Sequence, residues 1–237
     1  MINREALEYL VGLGVDQDIL FETDQGLFTT KNLSRVKMPK AAALNVSTLT
    51  GFVDYIKSKF DNTSLKLLVQ VKSPDEVRLY SPLNEDRERE QYLQANAILP
   101  NNVIYDRFLS TEQFNIMLQS SFIDSGDKER LLKYTGLVRD EAVKDTGDDG
   151  ISQKVVIKTG IASVGEAIVP NPVTLAPYRT FPEVEQPLSK FIFRMQEGPR
   201  AALFEADGGA WRNQAIFNIK QYLENELKEL ENISIIA

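Results

Sequence analysis

Basic and aromatic side chains in the C-terminal half of the chain have the types and spacing that could bind an anion. The candidates are Lys158, Tyr178, Arg179 and Arg194. A guanidinium beside an aromatic ring can hold a nucleotide by charge-assisted hydrogen bonds to phosphate and by stacking on a base. The same arginines can instead form ion pairs within the fold, because Glu183, Glu185 and Glu205 are close in sequence. The sequence leaves ligand binding and structural pairing as alternatives.

A cluster of acidic residues is a second possible site. Asp148 and Asp149 follow three further acids at positions 140, 141 and 145, and such oxygens can bind Mg²⁺ or Ca²⁺. Their spacing does not match the alternating ligands of an EF-hand loop. A solvated turn is therefore favoured, and no metal or other cofactor is predicted.

A short glycine motif precedes the last predicted helix. Asp207-Gly-Gly-Ala-Trp211 could present free backbone amides to a phosphate. The motif lacks the length and the lysine of a P-loop. A role for Asp207 as a turn or helix-capping residue is favoured over anion binding.

The composition excludes several kinds of catalysis. The 237 residues include no histidine and no cysteine. Serine–histidine triads, histidine bases, thiolate nucleophiles and metal sites built on these residues are therefore impossible. We predict a binding protein rather than an enzyme.

Charge and hydropathy limit the partners. The net charge of −7 disfavours non-specific binding to nucleic acid, although a local basic patch would still allow it. No apolar run approaches the roughly 20 residues of a membrane-spanning helix. The charged N-terminus is unlike a signal peptide, so a cytoplasmic location and no membrane partner are expected.

Hydrophobic periodicity and turn residues predict an α+β fold with largely antiparallel sheets and flanking helices. The clearest element is a hairpin over 65–80 that turns at Ser73–Glu76. Helices are predicted from Asn3 to Gly12, from Ser47 or Thr48, from Ser110, after Asp127, and from Trp211 to about Leu230. Strands are predicted at 18–22, 26–30, 152–159, 191–193 and 201–205.

The segment from Asn84 to Ala97 is ambiguous. Its charged residues favour a solvated helix, whereas the weakly periodic run from Tyr92 to Leu99 could form a strand in a larger sheet. We predict the helix and keep the strand as the alternative.

The acidic loop near Gly147–Gly150 is the best candidate domain boundary. It would divide the chain into an N-terminal α+β region, 1–145, and a strand-rich C-terminal region, 146–237. The alternative is one continuous domain in which strands from both sides join the same sheet.

Six of the ten prolines fall between Pro170 and Pro199. Each proline fixes its own φ and restricts the residue before it, so Val169–Ser189 is predicted to be stiff and extended. A stiff segment loses little entropy on docking, which favours an arm that packs across the interface of a homo-oligomer. The proposed contact residues are Pro170, Pro172, Pro177, Phe181, Pro182 and Pro187.

Several stretches carry a family resemblance, the strongest being Pro170-Asn-Pro-Val-Thr-Leu-Ala-Pro-Tyr-Arg-Thr-Phe181 and Ala202-Leu-Phe-Glu-Ala-Asp-Gly-Gly-Ala-Trp211. With Asp148–Gln153, Val156–Gly160 and Glu183–Pro187, they resemble phage and prophage proteins of Gram-positive bacteria, including a branch of the YfdQ-like (DUF2303) family. The resemblance extends from about Ser47 onward. It implies a phage accessory protein acting in the host cytoplasm, and it carries over no catalytic residues.

Three functions remain as expectations. The first is a non-enzymatic homo-oligomer that binds a host or phage protein, for example to evade host defence. The second is sequestration of a small anionic, nucleotide-type ligand such as an immune signal. The third is a recombination or replication accessory that contacts single-stranded DNA, whose binding would depend steeply on salt.

Overall fold

The computed structural model describes residues 4–14, 20–23, 26–29, 40–61, 65–137, 153–158, 164–196, 198 and 200–237. These residues belong to two compact units, Met1–Lys40 and Ala41–Ala237. In the first unit, helix α1 (Arg4–Gly14) is followed by strands β1 (Leu20–Thr23) and β2 (Gly26–Thr29). The two strands pair antiparallel, as predicted for a hairpin.

The second unit begins with β3 (Leu44–Val46) and α2 (Leu49–Ser58), and its first sheet has five strands. The middle three form an antiparallel meander: β4 (Leu67–Ser73), β5 (Glu76–Tyr80) and β6 (Gln91–Asn96). The edge strands are β3, parallel to β6, and β13 (Ile233–Ile236), parallel to β4. The strand order is β13-β4-β5-β6-β3.

One face of this sheet is covered by α2 and by the long helix α5 (Ala210–Glu226). Alternate residues of the strands point into the core, which gives the period-2 burial of Val69, Val77, Leu79 and Leu93. The helices contribute buried side chains at helical spacing, listed as Leu49, Phe52, Val53, Ile56, Ala215, Ile219 and Leu223. Thr48 caps α2, accepting a hydrogen bond from the Gly51 amide at 3.0 Å.

A second, four-stranded sheet has the order β10-β11-β12-β7 and is antiparallel throughout. Its strands are β7 (Leu109–Ser110), β10 (Val173–Leu175), β11 (Ser189–Gln196) and β12 (Arg200–Glu205). Helices α3 (Thr111–Ser121) and α4 (Lys128–Leu137) accompany it. Their core is rich in aromatic rings, including Phe114, Phe122, Phe191 and Phe193.

A hairpin of β8 (Lys154–Lys158) and β9 (Val164–Ile168) adjoins this second sheet. The buried side chain of Gln153 connects it to β11. Gln153 donates to the Met195 carbonyl oxygen at 2.7 Å and accepts from the Met195 amide at 3.0 Å. Just before β8 begins, the Gln153 side chain thus makes two hydrogen bonds with the backbone of β11, as a paired strand would.

The fold is α+β with open, largely antiparallel sheets, as the sequence predicts. Both sheets contain strands from either side of residue 145, since β7 pairs with β12 and β4 pairs with β13. The predicted boundary loop falls within 138–152, outside the described residues. The division that the structure has is at Lys40.

The predicted helix from Asn84 to Ala97 is wrong. Residues 85–86 form a turn, in which Asn84 accepts hydrogen bonds from the backbone amides of Arg87 and Glu88, and β6 follows. Leu93 and Ala95 are fully buried against the core, and pairing with β5 supplies the backbone partners. Burial on alternate residues therefore outweighs the local charge pattern that favoured a helix.

The proline-rich segment, defined as Val169–Ser189, packs against its own chain and turns back at residues 182–184, so that Leu175 pairs with Ser189. It enters the fold as β10 and runs antiparallel to residues 121–127, with the Tyr178 amide donating to the Ser121 carbonyl oxygen at 2.9 Å. Its first part contributes Val173 and Leu175 to the aromatic core, and its second part contributes Phe181 to the core of the five-stranded sheet. The segment therefore connects the two cores.

Of the residues predicted to contact a second protomer, some are buried within the chain and others are exposed. Pro170, Pro177, Phe181 and Pro187 are buried within the chain, whereas Pro172 and Pro182 are exposed. Most apolar side chains of the segment are therefore already buried within the chain, whereas Leu188 is 53% exposed. The homo-oligomer stays a prediction.

Gly126 is where the proline-rich segment comes closest to the turn before α4. Its φ is +60°, and a Cβ there would lie 2.3 Å from the Thr174 carbonyl oxygen. We expect Gly126→Ala to lower the free energy of unfolding by about 3 kcal/mol, through strain and displaced backbone, in urea denaturation.

Gly136→Ala is the matched control. It lies within α4, and a Cβ there meets nothing within 4 Å. We expect it to stabilise the protein by about 0.5–1 kcal/mol, because alanine has the higher helix propensity. A Gly126→Ala protein as stable as the wild type would contradict the described packing of β10.

Candidate functional site

A cleft of about 580 Å³ opens where the two sheets meet, and we call it the Trp211 cleft. Four parts of the second unit form its walls: the β4–β5 turn, the segment after β6, the proline-rich segment, and the junction of β12 with α5. The lining residues are Ser73, Pro74, Asp75, Leu99, Pro100, Val103, Tyr105, Tyr178, Arg179, Glu205, Trp211 and Arg212. The volume is within the range of small-molecule sites.

Arg179 forms the floor of the cleft and is only 7% exposed. Its guanidinium donates to the Glu205 carboxylate at 2.9 Å, to the Ser189 hydroxyl and to the Pro187 carbonyl oxygen. Burial lowers the pKa of Arg179, and the charges of Glu205 and Asp207 oppose that shift. Arginine stays protonated in proteins, so the cation needs these partners.

The guanidinium also positions the aromatic wall. Its central carbon lies 4.0 Å from the centroid of the Trp211 ring and 5.8 Å from that of Phe191. Tyr105 stacks on Phe191 with centroids 5.6 Å apart. One buried cation thus sets the orientation of rings from three separate parts of the chain.

Asp207 fixes the start of α5. Its side chain accepts from the Gly209 amide at 2.9 Å, and it also accepts from the Trp211 amide and the Ser189 hydroxyl. Although burial alone would raise it, these hydrogen bonds and Arg179 hold the pKa of Asp207 below its ordinary value. The amides that might have bound a phosphate are therefore occupied by Asp207, as the sequence favoured.

Three donors at the cleft have no acceptor among the described residues: the Tyr105 hydroxyl, the Arg179 Nε and the Trp211 Nε1. None of these atoms is open to solvent. Burial raises the pKa of Tyr105 to about 12, so its hydroxyl keeps the proton at neutral pH. Unpaired buried donors are rare in folded proteins because each one is destabilising.

The carboxylates at the cleft form ion pairs and hydrogen bonds with other groups of the protein. Glu205 is paired with Arg179, and Asp75 accepts from the Ser73 hydroxyl at 2.7 Å. Asp207 is occupied by backbone amides. The arrangement can bind and orient a molecule, and each of these carboxylates is already engaged by a donor of the protein.

Two of the four predicted binding residues meet in this cleft. Tyr178 and Arg179 line it side by side. Arg194 lies in β11 opposite Ala202 and does not line it. Lys158 ends β8, opposite Val164, and only its backbone is described.

The alternative of structural pairing is right for Arg179, whose carboxylate partner is Glu205. The acidic metal candidates Asp148 and Asp149 lie outside the described residues. A further cavity beside Tyr55 and Ile233 has about 30 Å³, enough for one or two water molecules.

Sequence reasoning did not identify Tyr105, Trp211 or Arg212 as site residues. Trp211 was visible as the aromatic residue after the glycine motif, beside an arginine, and that pattern was the available signal. Tyr105 carried no local signal, because its place in the site depends on contacts with residues far along the chain.

Comparison with protein-family models, with curated proteins and with solved structures finds no match for this chain. The resemblance to phage proteins stays a prediction. Across the described residues, no helix has the length and apolar character needed to cross a membrane.

The role of Asp207 predicts a pH-dependent effect of Asp207→Asn. The lowered pKa means that the charge stabilises the fold above the ordinary value of 3.8 and that this contribution is lost as pH falls through the folded-state pKa. We expect the variant to be less stable by about 1 kcal/mol at pH 7, by urea denaturation, with the difference shrinking below pH 4.

Asp54→Asn, at an exposed position of α2, is the control and should stay within about 0.5 kcal/mol of the wild type at both pH values. A stability difference for Asp207→Asn that grows on acidification would contradict the assignment.

Proposed function

We propose that this protein binds a small molecule with an aromatic ring in the Trp211 cleft. The observation that carries the proposal is the set of three unpartnered donors beside one aromatic-lined cleft of about 580 Å³. Small-ligand sites typically combine apolar walls with a few convergent polar groups. This is the second of the functions that the sequence leaves open.

The walls suit a flat ligand. Tyr178 is 37% exposed at the rim, and Trp211 and Tyr105 form the interior with apolar neighbours such as Val103 and Pro100. Aromatic side chains stack on planar rings, and each such contact contributes about 1–3 kcal/mol in nucleic-acid complexes.

The same contacts favour binding over catalysis. The sequence contains no histidine or cysteine, and the cleft carboxylates are engaged by Arg179, Ser73 or backbone amides. A general base in this cleft would first have to release one of these partners. Sequestration or sensing of the ligand is the corresponding role.

The other predicted functions gain less support from the geometry. The proline-rich segment is largely buried in its own chain, which removes the main reason for assigning it to an oligomer interface. Among the predicted basic residues, Arg179 is neutralised by Glu205, which weakens the case for single-stranded DNA. The association with phage remains part of the proposal without a structural argument.

Native mass spectrometry of protein purified without denaturation tests the proposal. We expect added mass of a few hundred daltons per chain, and we expect Tyr178→Ala to reduce the bound fraction about tenfold because one stacking ring is lost. The emission of Trp211, the single tryptophan, gives a second readout when ligand is removed and restored.

Tyr9→Ala provides the control, because Tyr9 is 69% exposed in α1 and is not one of the residues that line the cleft. It should retain as much ligand as the wild type. Protein without added mass, whose Trp211 emission responds to no small aromatic compound, would overturn the proposal.

A further inference from the structure

The unpartnered groups of the Trp211 cleft are of one chemical kind. Arginine Nε and indole Nε1 can only donate a hydrogen bond, and the protonated Tyr105 hydroxyl donates as well. These three buried groups therefore lack acceptors. A ligand that supplies acceptor atoms could satisfy all three, whereas a ligand that supplies only donors could satisfy only the oxygen of Tyr105.

These donors are closed to solvent in the unliganded cleft, so a ligand reaches them only if the rings turn towards it. Tyr105 and Trp211 are each only partly buried, and both line the open space. Binding is accordingly expected to change the surroundings of the Trp211 indole.

The two arginines of the cleft differ in whether a carboxylate of the protein already pairs with them. Arg179 is neutralised by Glu205 at 2.9 Å. Arg212 is exposed at the rim, and its guanidinium contacts the Trp211 ring at 5.0 Å, with no ion pair in the described part of the chain. A negative group on a ligand could pair with Arg212 without displacing any protein partner. Asp75 is also exposed, but it lies on the wall of the β4–β5 turn.

We infer that the ligand is a planar anion, whose ring bears acceptor oxygens or nitrogens facing Tyr105, Arg179 and Trp211, and whose negative group pairs with Arg212. The inference rests on the proposed function and specifies its ligand. Sites built to hydrogen-bond a ligand reject analogues that lack the matching group more strongly than apolar pockets reject analogues of the wrong size.

Three probes separate the two features: uridine monophosphate has ring carbonyls and a charge, phenyl phosphate has only the charge, and uridine has only the carbonyls. Titrations followed by Trp211 emission should give uridine monophosphate at least about tenfold tighter binding than either analogue. In Arg212→Gln, uridine monophosphate should bind no more tightly than uridine. The control Arg130→Gln, at a position in α4 whose side chain is 66% exposed, should leave the difference in affinity unchanged. Tyr105→Phe should weaken uridine monophosphate and leave phenyl phosphate unchanged.

Equal binding of phenyl phosphate and uridine monophosphate would overturn the acceptor requirement, while leaving small-ligand binding intact. If uridine binds as tightly as uridine monophosphate and Arg212→Gln has no effect, the anionic requirement is overturned and a neutral aromatic ligand is favoured. If no probe binds but the natively purified protein carries a small molecule, that molecule is released and identified. If it is neutral or lacks ring acceptors, the inference is overturned while the proposed function stands. An empty native protein that binds no probe overturns the proposed function as well.

Discussion

The buried guanidinium of Arg179 is the interaction on which the second unit most depends. A cation that is 7% exposed must be paired and hydrogen-bonded, because an isolated buried charge is strongly destabilising. Its partners come from the end of β12, from the start of β11 and from the proline-rich segment itself. Through Ser189 and Asp207 the same network reaches the first amides of α5. Satisfying one charge thus fixes the relative positions of four elements.

A second buried polar side chain, Gln186, closes the proline-rich segment on itself. Its amide accepts from the backbone amides of Arg179 and Thr180 and donates to three carbonyl oxygens of residues 180–184. The prolines stiffen the chain, and Gln186 supplies the hydrogen bonds that an irregular buried backbone otherwise lacks. The segment can therefore join the two cores without being a regular strand. The Trp211 cleft lies between this segment and the turn of β4–β5, and no side chain of the described residues fills it.

The sequence was a good guide wherever the determining interactions are local. Ser73–Glu76 predicted a turn, and Ser110 predicted the start of α3, where its hydroxyl accepts from the Gln113 amide. It was a poor guide where distant residues decide. The charges at 84–90 favoured a helix, yet pairing with β5 made residues 91–96 a strand. The parallel pairing of β13 with β4 joins residues more than a hundred positions apart, and no local pattern specifies it.

In the candidate site, too, residues with a local sequence signal were predicted, and residues brought together by distant contacts were not. Arg179 and Tyr178 were predicted because adjacent basic and aromatic residues are visible in sequence, and Glu205 was recognised as a possible partner. Tyr105 and Arg212 were not identified, since their relevance arises only when the segment after β6 and the start of α5 come together. The proline-rich segment was predicted to be stiff and extended; in the structure it begins as a strand and then turns back, so that Leu175 pairs with Ser189. Composition could not tell whether its apolar side chains meet their own chain or another.

The most direct test of ligand binding at this site is the ¹⁵N–¹H spectrum of the Trp211 indole, which gives a single indole signal because the chain has one tryptophan. Within the described ranges of the chain this N–H has no acceptor. Addition of uridine monophosphate, or of the molecule released from natively purified protein, should shift the indole proton downfield as it gains a hydrogen bond. An indole signal that stays in place while the added molecule is shown to bind would contradict the assignment of the Trp211 cleft as the site.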